Sequence, residues 1–210
     1  MKFINYYQHK GHVFGECWSH PDSEYMYVNI PKNATSWTKP NLQDWGWENY
    51  NYHTDGLNKL ALVVLRDPVD RWISGIAEYL YLYHRDWNNG AFTQPMFDLI
   101  FDKIAFDDHT ERQVYFLEGL DIERCVFFKF GPEYRQNFSR FLIERGMPNR
   151  YNQYEYQHVS DLEPVRRNYK EIFCNAINNS KYLYQLQQYF KPDYELINQV
   201  KFYDPRQPNC

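Results

Sequence analysis

The chain has 210 residues, a length that suits one domain and can bury a core without disulfide or metal staples. A net charge of −4 and a pI near 6.0 provide no overall basic field. That excludes a protein whose main task is gripping nucleic acid or another polyanion, so any anion site must be local.

The opening segment, MKFINYYQHKGH, has no apolar core of signal-peptide length, and no run of about 18 apolar residues follows anywhere. The chain therefore reads as soluble and cytoplasmic, with residues 1–24 as an N-terminal extension to a single domain. Residues 25–30 (YMYVNI) alternate and are rich in Tyr, Val and Ile, which predicts a strand that Pro31 ends. LALVVL at 60–65 is apolar without alternation, as in a strand buried on both faces of a parallel sheet. The stretch between them is long enough for a crossover with a helix, giving a βαβ unit.

After Arg66, Asp67 is placed to cap a helix, Pro68 to begin it and Asp70 to complement its dipole. Val69, Trp72, Ile73, Ile76, Ala77, Leu80 and Tyr81 then fall on one apolar face. CVFFKF at 125–130 predicts a third buried strand. EYRQNFSRFLIERG predicts an amphipathic helix ended by Gly146. From Glu163 to about Phe190 two helices are expected, separated by NAINNS, with 203–210 as a loose tail. The order of elements specifies a three-layer α/β domain with a helical C-terminal part.

Four cysteines, Cys17, Cys125, Cys174 and Cys210, fall in no CxxC pair or metal-ligand spacing. Free thiols in a reducing compartment are the expectation, with no metal. Aromatic residues form 20% of the chain while mean hydropathy is −0.77, so many rings must sit half-exposed. WGWENYNY at 45–52 is either a ring-lined wall for an acceptor or a packed loop.

In an open parallel sheet, ligands lie beyond the carboxyl ends of the strands, where helix N-termini attract anions. The loop after the first predicted strand offers Lys32, the amides around Asn33 and Ala34, and the Thr35 and Ser36 hydroxyls; the loop after the second offers Arg66 and then Ser74. Residues 31–37 contain no glycine, and Lys32 precedes the small residues, so this is not a Walker A loop.

PKNATSW followed by LRDPVDRWISG resembles the paired signature of sulfotransferases that use 3′-phosphoadenosine 5′-phosphosulfate (PAPS). DDHTERQVYFL is similar to a D-x-H-x-x-x-Q segment of the carbohydrate branch and its small soluble relatives, and YFKPDYELI to the family's terminal motif. The resemblance implies a P-loop-NTPase-like fold around a central parallel sheet. It implies that Lys32, Asn33, Ala34, Thr35 and Ser36 hold the phosphosulfate, that Arg66 and Ser74 hold the 3′-phosphate, and that Trp37 stacks on adenine. The implied reaction moves a sulfuryl group to an acceptor hydroxyl, on a carbohydrate or glycolipid by preference with a phenol or peptidyl tyrosine left open, and leaves 3′,5′-adenosine bisphosphate.

Lys32 would neutralise charge on the leaving phosphate without a metal. A neutral imidazole suits removal of the acceptor proton; His53 is the first choice, placed as the histidine of the glycan 2-O-sulfotransferase branch, and His109 the second. Glu48, Asp55 and Glu111 stay open as bases. For the remaining site residues a plainer role stands beside the functional one. Arg66 can pair with Asp67 or Asp70, Thr35 and Ser36 can cap a helix, Ser74 can bond back along its own helix, Trp37 can be core, and His109 can be structural. Pro40 falls within the helix expected after the first loop, and RYNQYEYQHVS at 150–160 is placed by position as the loop over the 3′-phosphate. The alternatives are a nucleotide-dependent kinase and a non-catalytic nucleotide- or glycan-binding module.

Overall fold

The computed structural model describes residues 14–89, 92–147 and 163–206, a mixed α/β chain. In chain order its elements are β1 (Glu16–Ser19), β2 (Tyr25–Val28), α1 (Thr35–Asp44), β3 (Glu48–Asn51), β4 (Leu60–Leu65), α2 (Pro68–Tyr83), α3 (Gln94–Lys103), β5 (Cys125–Lys129), α4 (Tyr134–Glu144), α5 (Pro164–Ala176), α6 (Ser180–Tyr189) and α7 (Lys191–Gln199). The described residues divide into two compact units. One comprises the described residues of 14–66, 113–147 and 196–206, the other those of 67–112 and 163–195. The segment at 150–160 expected to cover the 3′-phosphate, and Cys210, lie outside the described residues.

The first unit holds a five-stranded sheet in the order β3-β1-β2-β4-β5. β2, β4 and β5 are parallel neighbours, with Val28 opposite Val63 and Leu65 opposite Lys129. β1 pairs antiparallel with both β2 and β3, so residues 16–19, expected in an N-terminal extension, are part of the sheet. β4 is buried on both faces because its residues alternate between two apolar clusters. Leu62 and Val64 pack with Tyr27, Phe128, Trp37 of α1 and Phe138 and Phe141 of α4. Ala61, Val63 and Leu65 pack with Met26, Val28, Tyr52, Phe116 and Leu117. Pro40 lies inside α1 on its exposed side, so the lost N–H bond falls toward solvent. At the other end of the chain Tyr203 donates its amide to Phe127 O at 2.8 Å, which ties the start of the expected loose tail to β5.

The second unit is helical. Asp67 caps α2 by accepting from the Asp70 amide at 3.0 Å, and Pro68 opens the helix, as expected. Trp72, Ile73, Ile76, Ala77 and Leu80 of its apolar face enter a cluster with Phe101, Tyr169, Phe173 and Leu186 from α3, α5 and α6. Burying each of the isoleucine, leucine and phenylalanine side chains among these contributes about 1.5–3 kcal/mol. Trp72 also donates its indole N–H to Ile104 O at 2.9 Å. At Gly75 the 107–110 segment approaches the helix so closely that a β-carbon would overlap the His109 carbonyl. Among the described residues no helix is long and apolar enough to cross a membrane.

Candidate functional site

The loop after β2 departs sharply from extended backbone. Asn33 N donates to Ile30 O at 3.1 Å across Pro31 and Lys32, and Lys32 has a φ of 68°. A proline second and a positive φ third are the signature of a type II turn, a position that ordinarily takes glycine. Ala34 follows in the left-handed region at φ 63° and ψ 12° and caps α1. Two non-glycine residues in this region cost about 1–2 kcal/mol each. The loop holds them because Asn33, fully buried, is anchored from both sides.

That anchor lies where two strands separate. β2 ends at Val28, opposite Val63, and beyond it β4 has no strand on that side among the described residues. Backbone groups of Val64 and Arg66 that would face β2 bond to side-chain amides instead. Asn33 Nδ2 donates to Val64 O at 2.7 Å and to Gln113 Oε1 at 2.6 Å. Gln113 Oε1 also accepts from Arg66 N at 3.1 Å, and its Nε2 donates to Arg66 O at 3.0 Å. Gln113 is fully buried.

The Arg66 guanidinium lies over the Phe130 ring, 4.8 Å from its centroid, and donates to Lys32 O at 3.3 Å. The two cationic residues thus belong to one corner of the sheet unit, at the carboxyl ends of neighbouring parallel strands. Thr35 and Ser36 form the first turn of α1, whose N–H groups have no carbonyl a turn earlier within the helix to bond. Thr35 Oγ1 donates to Asn29 Oδ1 at 3.0 Å or to Ile30 O at 3.2 Å, and Ser36 is exposed. A carboxylate orders this side: Glu16 accepts from Asn29 Nδ2 at 2.6 Å and from Lys39 and Asn49.

Several expectations are corrected. Trp37 is 6% exposed and meets Tyr134 and Phe138 edge to face, with centroids 5.8 and 6.4 Å away, so it is core and offers adenine no open face. Trp45 and Trp47 are also buried, and residues 48–51 form β3, so WGWENYNY is not a ring-lined wall. Ser74, by contrast, lies in α2 and donates its hydroxyl to Asp70 O at 3.1 Å, the plainer of its two expected roles.

His53 is exposed, its ring against Tyr52 at 4.3 Å, and it lines a pocket of about 430 Å³ with Met26, Ala61 and Cys125 at the starts of the parallel strands. Among the described residues lining that pocket, none comes from the loop after β2 or is Arg66. His109 Nδ1 bonds to Asp107 at 2.9 Å and lies 3.1 Å from an Asp108 oxygen; burial pushes the imidazole down, but the two carboxylates outweigh that and raise it to about 9.

The remaining carboxylates are placed as follows. Glu48 begins β3 opposite Ser19, level with Met26 at the start of β2, and is exposed. Asp55 accepts from Asn51 N at 2.7 Å, and the buried Glu111 accepts from the Tyr189 hydroxyl at 2.5 Å. The helical unit also contains a buried arginine that the sequence reading passed over. Arg71 donates to Asp108 O at 2.9 Å and to Glu111 O, fastening the segment that holds His109.

A scan against family models, a search of curated proteins and a search of solved structures each returned no match to the chain.

Proposed function

We propose that the chain is a PAPS-dependent sulfotransferase, and that the corner formed by residues 32–36 and Arg66 holds the nucleotide. The observation that carries this reading is the Arg66 guanidinium resting on the Lys32 carbonyl, at the carboxyl ends of adjacent parallel strands. The parallel β2-β4-β5 core with an anion-binding loop after β2 supports the P-loop-like relation.

In this reading the Lys32 loop and the first turn of α1 take the 5′-phosphosulfate, and Arg66 takes the 3′-phosphate. The acceptor oxygen forms a bond to sulfur as the bond from sulfur to the bridging phosphate oxygen breaks. The acceptor proton passes to solvent water, and 3′,5′-adenosine bisphosphate leaves. Lys32 neutralises the charge that grows on the bridging oxygen, and the fixed amides of the first turn of α1 do so at no cost in reorganisation. The acceptor is a hydroxyl of a carbohydrate or glycolipid, by the resemblance of the paired motifs.

Incubation with sulfur-labelled PAPS and a panel of carbohydrate, glycolipid and phenolic hydroxyls tests the reaction. Label transferred to an acceptor, and lost in Lys32→Ala, is the expected result. Tight binding of the bisphosphate with no transfer to any acceptor would reduce the protein to a nucleotide-binding module.

A further inference from the structure

The Gln113 carboxamide occupies the place of a missing strand. Past Val28, β4 has no strand partner on the β2 side among the described residues, and the Gln113 amide supplies one acceptor and one donor to the Arg66 N–H and C=O, as a neighbouring strand would. The same oxygen receives Asn33 Nδ2 at 2.6 Å. One buried side chain therefore joins the residue between Lys32 and Ala34 to the backbone that carries the Arg66 guanidinium.

We propose that Gln113 is a positioning residue that sets the separation between the Lys32 loop and Arg66, and so fixes the site's preference for a nucleoside 3′,5′-bisphosphate over a 5′-monophosphate. This rests on the sulfotransferase reading of the same corner. Arg66 projects from backbone held on one side by the two Gln113 bonds and on the other by the Phe130 amide, which donates to Leu65 O at 2.8 Å. Removing the Gln113 pair leaves the Arg66 amide and carbonyl without strand-like partners on one side and lets the guanidinium shift relative to Lys32. The loop itself keeps the Asn33 bond to Val64 O. A 5′-phosphate held by the loop is then little affected, whereas a 3′-phosphate that needs Arg66 in register is released.

Two variants separate the parts of the bracket. Gln113→Met keeps the shape and removes all three polar contacts, to Asn33 Nδ2, Arg66 N and Arg66 O; Gln113→Glu keeps an acceptor for Asn33 and the Arg66 amide but loses the donor to Arg66 O. Dissociation constants for 5′-AMP and 3′,5′-adenosine bisphosphate are measured by calorimetry on the full chain, well below each variant's melting temperature. Amide hydrogen exchange at Arg66 is followed alongside by NMR.

The expected result is a preference for the bisphosphate that falls at least tenfold in Gln113→Met and less in Gln113→Glu, while the constant for 5′-AMP changes less than threefold. The Arg66 amide should exchange at least tenfold faster in Gln113→Met, with Val63 unchanged. If Gln113→Met fails to fold, the expected loss in Gln113→Glu supports the proposal, and an unaltered preference there overturns it. An unaltered preference in both variants overturns it, as does an unchanged Arg66 exchange rate in Gln113→Met. If the unmutated chain binds neither nucleotide, the sulfotransferase reading fails and the selectivity role with it, and the exchange measurement then decides whether the bracket holds Arg66 at all.

Discussion

His109 should make the protein less stable as the solution turns alkaline. Its ring is 25% exposed and lies between two aspartates, and although burial works against the charged form, Asp107 and Asp108 raise its pKa from 6.5 to about 9. The folded state therefore keeps a proton that the unfolded state gives up near pH 6.5. The stabilisation is complete below that value, declines as pH rises and is gone once pH passes about 9. At about 1.4 kcal/mol per pH unit the ceiling is about 3 kcal/mol, and screening at the exposed edge reduces the expectation to about 2 kcal/mol.

Among the described residues, Arg71 and Tyr83, both from α2, also feel the charges of Asp107 and Asp108. Arg71 is lowered by burial to about 10 against the pull of Asp193, Asp107 and neighbouring acids, so the titration stops near pH 9. Urea unfolding of the unmutated chain and of His109→Gln, at intervals from about pH 6 to pH 9, isolates the histidine as a difference curve. The difference should shrink by about 2 kcal/mol across that range. A flat difference would show that the two aspartates do not hold a proton on His109.

Two further substitutions probe the local geometry. Gly75→Ala should destabilise the chain by about 2–4 kcal/mol in denaturant unfolding, because the added methyl meets the His109 carbonyl, a backbone atom that cannot step aside. A cost below about 0.5 kcal/mol would contradict that close approach. Ala34→Gly should do the reverse and raise stability by up to about 1 kcal/mol, since φ 63° is unstrained for glycine. A loss of stability there would mean that the left-handed turn is not the conformation of the loop.

β4 and α2 are legible in the sequence for plain reasons. LALVVL is apolar without alternation because both faces of β4 are covered, and Asp67-Pro68 caps and opens a helix whose apolar residues recur at helical spacing. β1 and β3 are not legible: ECWS and ENYN are four residues each, largely polar, and exist as strands because Tyr25–Val28 and each other offer a ladder.

The loop chemistry at 32–36 and the charge at Arg66 can be read directly, and so can the D-x-H-x-x-x-Q pattern of Asp107, His109 and Gln113. What those three do cannot be read from spacing. Gln113 acquires its contacts from a gap in the ladder beside β4, and His109 acquires its raised pKa from two carboxylates that close on its Nδ1. Trp37 is misplaced for a similar reason, since a tryptophan one turn into a helix carries no mark that says which way it faces until α4 is packed over it.

Whether the corner built by residues 32–36 and Arg66 takes a doubly phosphorylated adenosine is measured most directly by thermal unfolding with 3′,5′-adenosine bisphosphate, set against ATP with magnesium. At a hundredfold excess over its dissociation constant a ligand of the native state contributes about 2.7 kcal/mol. The bisphosphate should raise the melting temperature by several degrees, ATP with magnesium should raise it far less, and Lys32→Ala and Arg66→Ala should each cut the bisphosphate response. No rise with the bisphosphate in the unmutated chain, or a rise that survives loss of both side chains, would contradict the assignment.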